Sequence, residues 1–334
     1  MTEPILIVKN LVVYFYTYAG VVKAVEGVSF KVYPGEVFGI VGETGCGKTV
    51  TSRAITRLIP EPGRIEGGEI LFRKNSEWID LLSLPDSELR KIRGNDIAYI
   101  FQDPSSSLDP LYMTGYQIGE TIVSHRDVRW RDAWKKAVDI LENVLIPDPK
   151  SRVKNYPHEM SGGMKQRVVI GISISNEPKI LIADEPTTNV DVTIQAQLID
   201  LLKRLKKERN TSIILITHNM GLIAEMADRV GVMYAGKMIE IASIDEIFNN
   251  PLHPYTRGLL KCVPNPLKKI DRLYSIPGMI PNLIYPPSGC RFHPRCEHAK
   301  PICKEKHPPT VEISPGHFVE CWLYSEEGEE VSAK

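Results

Sequence analysis

Eight consecutive residues of this chain follow a pattern that binds phosphate: a glycine, four variable residues, a second glycine, a lysine and a threonine. They are Gly42, Glu43, Thr44, Gly45, Cys46, Gly47, Lys48 and Thr49. The glycines let backbone N–H groups turn toward phosphate oxygens, and a helix predicted from Val50 to Leu58 presents its positive end there. Lys48 would neutralise β- and γ-phosphate charge, and the Thr49 hydroxyl would bind Mg²⁺. We predict a Mg²⁺–nucleotide site that extends to Val50.

Cys46 lies inside this loop and has two possible interpretations. It could be a redox-active thiol, or it could fill a position that requires a small side chain. A thiolate beside a triphosphate is electrostatically disfavoured, so we favour the second interpretation.

A second reactive set follows the apolar run from Ile180 to Ala183. Asp184 and Glu185 stand at the C-terminal end of this predicted strand, where ligands bind in open α/β sheets. Adjacent strand residues point in opposite directions, so we predict separate tasks for the two carboxylates. Asp184 would bind Mg²⁺, and Glu185 would polarise the attacking water. His218, after the predicted strand 212–217, could reach the γ-phosphate, although a lone histidine at a strand end is more often structural.

The pattern of apolar residues indicates the elements that must position these groups. Short β-rich runs at 5–8, 12–15 and 28–32 predict an antiparallel layer. From Val37 onward, continuous apolar strands alternate with helical patterns, which indicates α/β architecture around a buried parallel sheet. Between about residues 105 and 176 the strand signal fades and helical spacing predicts an inserted helical subdomain.

Charge and hydropathy narrow the classes of function. The 41 basic residues balance the 41 acidic ones, so no net field attracts nucleic acid. The apolar runs fall well short of the roughly 20 residues that a membrane-spanning helix needs, and the N-terminus lacks a secretory pattern. We therefore expect a cytoplasmic protein that acts beside a membrane if it acts at one.

The segment 160–167 reads MSGGMKQR and precedes the Asp184 strand. It resembles the signature sequence of ABC transporter ATPase subunits, and the resemblance extends over about residues 4–250. It implies a P-loop, RecA-like core, and it implies that Ser161, Gly162 and Gly163 close over the γ-phosphate held by another subunit. Amide groups and a hydroxyl at a helix N-terminus form an anion site, which makes this role physically reasonable.

The resemblance assigns further roles. Gln102 resembles the glutamine that touches Mg²⁺ and the attacking water, and His218 resembles the switch histidine. Asp191 matches the D-loop aspartate, although its neighbours Asn189 and Val190 depart from the usual pattern. An aromatic residue stacks on adenine in this family; Tyr18 is our choice and Tyr16 the alternative. The implied catalytic residues are Lys48, Gln102, Glu185 and His218.

The composition changes after about residue 250, where 13 of the 25 prolines and five of the six cysteines occur. Four cysteines stand at 290, 296, 303 and 321 without any C-x-x-C pair, so a zinc ribbon fits poorly. Buried inert thiols are the usual outcome in a cytosolic chain, but a proline-rich unit with little core favours a stabilising bond or metal.

Segments 250–260 and 289–296 resemble the C-terminal extension of oligopeptide and dipeptide transporter ATPases. In that group such cysteines can hold an iron–sulfur cluster, so the resemblance implies a [4Fe–4S] cluster on Cys290, Cys296, Cys303 and Cys321. Zn²⁺ and the absence of any metal remain the alternatives. A cluster could be structural or redox-sensing.

The resemblance implies an ATPase domain over residues 1–250 and a peptide-transporter extension over 251–334. It implies hydrolysis of ATP to energise a dipeptide or oligopeptide importer at the cytoplasmic face of the membrane. The expected partners are two integral-membrane permease subunits, a second ATPase subunit arranged head to tail and, indirectly, an extracytoplasmic solute-binding protein. The second ATPase could be the same chain or a different one.

Three other functions stay open. Similar systems carry nickel or oligosaccharides. A soluble ABC ATPase could act on nucleic acid or ribosomes, but the balanced charge argues against it. A non-hydrolysing regulatory subunit would have no need of Glu185 and His218.

Overall fold

The structure, a computed structural model, describes residues 3–187, 192–263 and 274–325. Its described part forms two compact units. The first comprises the described residues at 3, 33–37 and 83–215, and the second comprises the described residues at 4–32, 38–82 and 216–325.

The described ranges contain both strands and helices. The strands are β1 (Leu6–Thr17), β2 (Gly20–Val32), β3 (Val37–Val41), β4 (Gly63–Lys74), β5 (Glu77–Asp80), β6 (Ile97–Ile100), β7 (Ile180–Asp184), β8 (Ser212–Ile216), β9 (Arg229–Tyr234), β10 (Lys237–Ser243), β11 (Thr310–Ser314) and β12 (His317–Glu320). The helices are α1 (Lys48–Ile55), α2 (Asp86–Ile92), α3 (Pro104–Ser107), α4 (Thr114–Val123), α5 (Trp130–Asn143), α6 (Pro149–Arg152), α7 (Gly162–Ile174), α8 (Val192–Arg209), α9 (Met220–Met226), α10 (Ile244–Asn249), α11 (Pro254–Lys261) and α12 (Ile302–Glu305).

The second unit contains an antiparallel sheet with the strand order β2-β1-β4-β5. The runs predicted at 5–8 and 12–15 belong to one strand, β1. Its pairing with β2 continues through a register shift between Val8 and Leu11. Asn10 has a φ of 46° at this bulge, a conformation that asparagine tolerates better than most residues. Alternate residues of β1, including Leu6 and Val13, are buried.

A second sheet of this unit has the order β11-β12-β10-β9-β3. Strand β3 runs parallel to β9, and all five of its residues are buried, as expected for a continuous apolar run. At the other end β12 pairs with β10, with Glu240 opposite Val319. This pairing joins strands that lie on either side of the boundary predicted near residue 250.

The first unit contains strands in the order β8-β7-β6, with β6 parallel to β7. Helices α3 to α7 occupy the segment for which the sequence predicts an inserted helical subdomain. Helix α5 buries Ala133, Ala137 and Leu141 along one face, which is the spacing of an amphipathic helix. No helix in the described ranges is both long and apolar enough to cross a membrane.

Candidate functional site

The phosphate-binding loop of the second unit connects β3 to α1. Gly42 and Gly47 have φ values of 153° and 102°. A Cβ at Gly42 would lie 2.1 Å from the carbonyl oxygen of Met233, and one at Gly47 would lie 2.5 Å from that of Ala24. The two glycines are therefore required both by backbone conformation and by close approach of neighbouring chain.

Lys48 is the first residue of α1 and is almost fully buried, with 5% of its surface exposed. Its Nζ donates hydrogen bonds to the carbonyl oxygens of Gly42 and Glu43, at 2.8 and 3.0 Å. Thr49 and Val50 follow in the same helix and are half-buried, whereas Thr44 and Gly45 are exposed. The helix begins two residues before the predicted start, so the ammonium group and the helix N-terminus face the same loop.

Cys46 is buried within the loop, with 1% of its surface exposed. Burial raises the pKa of its thiol, and Lys48 offsets only part of this shift. The thiol is therefore neutral near pH 7, which supports a small-residue position over a redox role.

Glu43 forms hydrogen bonds with two residues that lie far from it in the sequence and that its sequence pattern did not predict. Its carboxylate accepts hydrogen bonds from both terminal nitrogens of Arg295, and its backbone N–H donates to the hydroxyl of Tyr255. Both partners lie in the C-terminal segments that carry the resemblance to peptide transporter ATPases, but no local pattern links them to residue 43.

The two carboxylates belong to the first unit. Asp184 is the last residue of β7 and is fully buried, and its Oδ2 accepts a hydrogen bond of 2.9 Å from the hydroxyl of Tyr99. Glu185 lies beyond the strand, with a φ of 47°. The two carboxylates therefore have different surroundings, and Glu185 leaves the strand with a left-handed backbone instead of continuing the strand alternation on which the predicted division of tasks rests.

Gln102 and Glu185 are brought together by the structure. Gln102 follows β6, and its Nε2 donates a hydrogen bond of 2.9 Å to Oε2 of Glu185. Because β6 and β7 are parallel neighbours, their C-terminal ends meet at the same edge. The amide therefore holds the carboxylate that the sequence assigns to the attacking water.

The signature segment forms an exposed helix N-terminus in the first unit. Ser161 is the N-cap of α7, and its Oγ accepts a hydrogen bond of 3.3 Å from the backbone N–H of Met164. Ser161 and Gly162 are exposed, and Gly163 is half-buried. The exposed amides of a 13-residue helix can bind an anion supplied from outside the chain.

The remaining predicted site residues differ in their exposure and hydrogen bonding. His218 is exposed directly after Thr217, whose backbone N–H donates to the carbonyl oxygen of Ile40 at 3.2 Å. Asp191 lies outside the described residues. Tyr18 is fully exposed on the turn between β1 and β2, whereas the hydroxyl of Tyr16 donates to Glu66 at 2.9 Å.

The four C-terminal cysteines line one cavity of about 10 Å³, roughly the size of one water molecule. Cys290, Cys296, Cys303 and Cys321 are all free thiols. Burial raises the pKa of Cys290 to about 12 and that of Cys321 to about 11. The thiols of Cys290 and Cys321 are therefore protonated in the metal-free protein. Across the part of the chain that the structure describes, no group of three or more His, Cys, Asp or Glu side chains is arranged around a single metal ion.

Comparison with protein families gives two matches. Residues 25–188 match the ABC transporter family, and residues 239–303 match the oligopeptide/dipeptide transporter C-terminal region. Over 98% of its length the chain is 48% identical to the dipeptide transport ATP-binding protein DppD of Bacillus subtilis, covering 97% of that protein. It is 49% identical to the oligopeptide transport ATP-binding protein OppD of the same organism, over 95% of this chain and 88% of that one.

Solved structures share the fold. The cbiO1 protein of Clostridium perfringens, part of the transporter complex cbiONQ, matches 74% of this chain and 92% of its own, with 27% identity and a TM-score of 0.61. The cassette MJ0796, solved as a dimer bound to ADP and phosphate, matches 72% of this chain and 98% of its own, with 24% identity and a TM-score of 0.64. These matches confirm the predicted α/β fold class.

Proposed function

Because this chain belongs to the family of ABC transporter ATP-binding subunits, within its oligopeptide and dipeptide group, we propose that it hydrolyses ATP to energise the import of short peptides. The observation that carries the peptide assignment is the matched C-terminal region at residues 239–303. The high identity with dipeptide and oligopeptide transport proteins over nearly the whole chain supports it.

ATP binds at the loop from Gly42 to Thr49 in this proposal. Loop amides and the N-terminus of α1 bind the phosphates, and Lys48 exchanges its carbonyl partners at Gly42 and Glu43 for the β- and γ-phosphate oxygens. Both kinds of partner are oxygen acceptors, so the ammonium group keeps its hydrogen bonds as it binds. Tyr18 stacks on the adenine, since its ring is fully exposed while Tyr16 is bonded to Glu66 and lies beneath Arg64.

Hydrolysis depends on the two carboxylates at the end of β7 in this proposal. Thr49, Gln102 and Asp184 would hold Mg²⁺, which would supply neutralisation of the phosphate charge. Glu185 accepts a proton from the attacking water, and the amide of Gln102 keeps the carboxylate oriented. His218 stabilises charge that develops on the γ-phosphate.

Two such ATPase subunits act together in the proposal. Ser161, Gly162 and Gly163 of one subunit close over the γ-phosphate bound by the other, and Asp191 matches the D-loop aspartate of the family. The exposed N-terminus of α7 supports this arrangement, because its amides are accessible to an anion from a partner. Closure on ATP and release after hydrolysis then drive two permease subunits in the membrane, to which an external solute-binding protein delivers the peptide. The chain itself acts from the cytoplasmic face.

A transport assay tests this proposal. The chain is reconstituted with its permease subunits in vesicles, and ATP-dependent uptake of radiolabelled di- and oligopeptides is compared with uptake of nickel and oligosaccharides. We expect peptide uptake that requires ATP. Uptake of only nickel or oligosaccharide would contradict the peptide assignment, and ATP hydrolysis stimulated only by nucleic acid or ribosomes would contradict transport altogether.

The four cysteines hold a [4Fe–4S] cluster in the same proposal. Cys290, Cys296, Cys303 and Cys321 would each supply a thiolate ligand to the cluster. The convergence of these four cysteines on one cavity supports the proposal. Binding requires the raised-pKa thiols to lose their protons and the 10 Å³ cavity to widen.

Replacing Cys290 by serine is expected to abolish the visible absorbance of anaerobically purified protein, because a serine hydroxyl remains protonated and binds iron poorly. Iron and sulfide analysis of the same samples measures the loss directly. Cys262, at the end of α11 and outside the cavity, provides the matched control: Cys262→Ser should keep the full spectrum. A Cys290→Ser variant with an unchanged spectrum would contradict this ligand assignment.

A further inference from the structure

Glu43 is attached to the C-terminal region through both its side chain and its backbone. Arg295 donates from Nη1 to Oε2 at 2.8 Å and from Nη2 to Oε1 at 3.0 Å, which is a bidentate ion pair. The side chain of Arg295 is 4% exposed and that of Glu43 is 22% exposed. The backbone N–H of Glu43 donates to the hydroxyl of Tyr255 at 2.9 Å. One residue of the phosphate-binding loop thus has two anchors more than 200 residues away in the sequence.

Both anchors are held firmly in place. Arg295 donates from Nε to the carbonyl oxygen of Pro277 at 2.8 Å, and its guanidinium lies 5.7 Å from the ring centroid of Tyr234. Tyr255 is fully buried, and its ring lies 4.7 Å from that of Tyr234 and 5.5 Å from that of Phe292. The ion pair raises the pKa of Arg295 further, so the charge is permanent. Neither anchor can move without disturbing this aromatic cluster.

A second connection reaches the loop from the same segment. Arg291 donates hydrogen bonds to the carbonyl oxygen of Ala235 and to the carboxylate of Glu26. Gly236, which follows Ala235 in the chain, donates its backbone N–H to the carbonyl oxygen of Cys46 at 2.8 Å. Arg291 and Arg295 both lie between Cys290 and Cys296, so the segment that carries two of the four cysteines contacts the phosphate-binding loop by two routes.

We propose that Arg295 and Tyr255 are positioning residues for ATP binding: by holding Glu43, they keep the phosphate-binding loop in its binding conformation. The glycine-rich loop has much conformational freedom of its own. A restraint from outside the loop reduces the conformational entropy that the loop loses when ATP binds. Position 43 is one of the variable positions of the phosphate-binding pattern, which leaves its carboxylate available for the ion pair with Arg295. The same contacts connect the four-cysteine site to the ATP site, and coupling of this kind is reciprocal. The inference rests on the proposed function in that ATP is the ligand of the loop.

The test measures equilibrium binding of a non-hydrolysable imido analogue of ATP with Mg²⁺ to the full-length chain. We expect Arg295→Gln to weaken binding about tenfold, within the usual range of coupling between sites. Tyr255→Phe keeps the buried ring but removes the hydroxyl, and should weaken binding about threefold, the effect of one neutral hydrogen bond. Turnover at saturating ATP should change by less than about twofold, because the contact is to the loop and not to the reacting atoms.

A double variant distinguishes positioning of the loop by the ion pair from electrostatic repulsion between ATP and an unpaired Glu43 carboxylate. In Arg295→Gln the unpaired Glu43 carboxylate could repel ATP, and Glu43→Gln removes that charge. If the pair positions the loop, Glu43→Gln alone and combined with Arg295→Gln should both bind about tenfold more weakly than wild type. Recovery of wild-type affinity in the double variant would overturn the proposal. So would unchanged affinity in both single variants.

The matched control is Arg90→Gln, which breaks an exposed ion pair of 2.8 Å with Asp86 and should leave binding unchanged. Thermal unfolding of every variant identifies any that fails to fold. Should Arg295→Gln fail, Glu43→Gln still tests the attachment, since this residue is partly exposed and lies outside the aromatic cluster. If wild-type protein itself does not bind the analogue, the proposed function fails and not this inference.

Discussion

Replacement of Glu185 by glutamine is expected to lower the rate of ATP hydrolysis by about 10²- to 10⁴-fold, the usual contribution of a general base. Glutamine has nearly the same shape but cannot take a proton from water near neutral pH. Because binding of the phosphates depends on the loop from Gly42 to Thr49, affinity for ATP should remain. Phosphate release at saturating Mg²⁺–ATP measures the rate, and size-exclusion chromatography should show a dimer trapped by unhydrolysed ATP.

Glu177→Gln provides a matched control for that variant. Glu177 also has a left-handed backbone, with a φ of 56°, and its exposed side chain is ion-paired with Arg209 at 3.1 Å. The two substitutions therefore impose the same change in chemistry on the same backbone conformation, one inside the proposed site and one outside it. Hydrolysis by Glu185→Gln at more than a small fraction of the wild-type rate would require another group to act as the base.

Replacement of Lys48 by methionine is expected to reduce hydrolysis by about 10²- to 10³-fold, as for loss of a group that stabilises transition-state charge. Binding of ATP should weaken as well, because the ammonium group pairs with the phosphates in both the bound state and the transition state. Methionine fills much of the volume that this 5% exposed side chain occupies, so the loop should keep its shape. Phosphate release and analogue binding measure the two effects separately.

The control for charge alone is Lys31→Met. Lys31 is an exposed residue of β2 in the same unit, so this variant loses one positive charge without touching the loop. Its hydrolysis should match wild type. If Lys48→Met retained full hydrolysis and affinity, the assignment of the loop as the phosphate site would be wrong.

The features that the sequence predicts well are those that depend on neighbours along the chain. The phosphate-binding loop needs glycines at 42 and 47 because of local backbone angles, and α1 and β3 flank it as the apolar pattern indicates. The exposed N-terminus of α7 follows from Ser161 as its cap. Short-range rules cover these cases because backbone angles, caps and apolar patterns are set by residues close together in the sequence.

Local rules were insufficient at three points. They divided β1 into two runs, because a bulge at Asn10 shifts the register while the partner strand continues. They predicted separate tasks for Asp184 and Glu185 from strand alternation, whereas Glu185 stands beyond the strand in a left-handed conformation. They also did not predict that β12 pairs with β10. The bulge and the strand pairing depend on which strands lie alongside one another, and that is a property of the sheet.

By itself the sequence determined which residues are candidates to bind phosphate and which carboxylates are candidates to assist hydrolysis, because composition and spacing within short segments decide both predictions. Only the tertiary structure decided which distant groups meet: Tyr99 with Asp184, Gln102 with Glu185, and Arg295 with Glu43. Four cysteines from separate segments likewise converge on one cavity. Such contacts are set by strand order and side-chain packing over the whole chain, and no short segment contains the information that selects them.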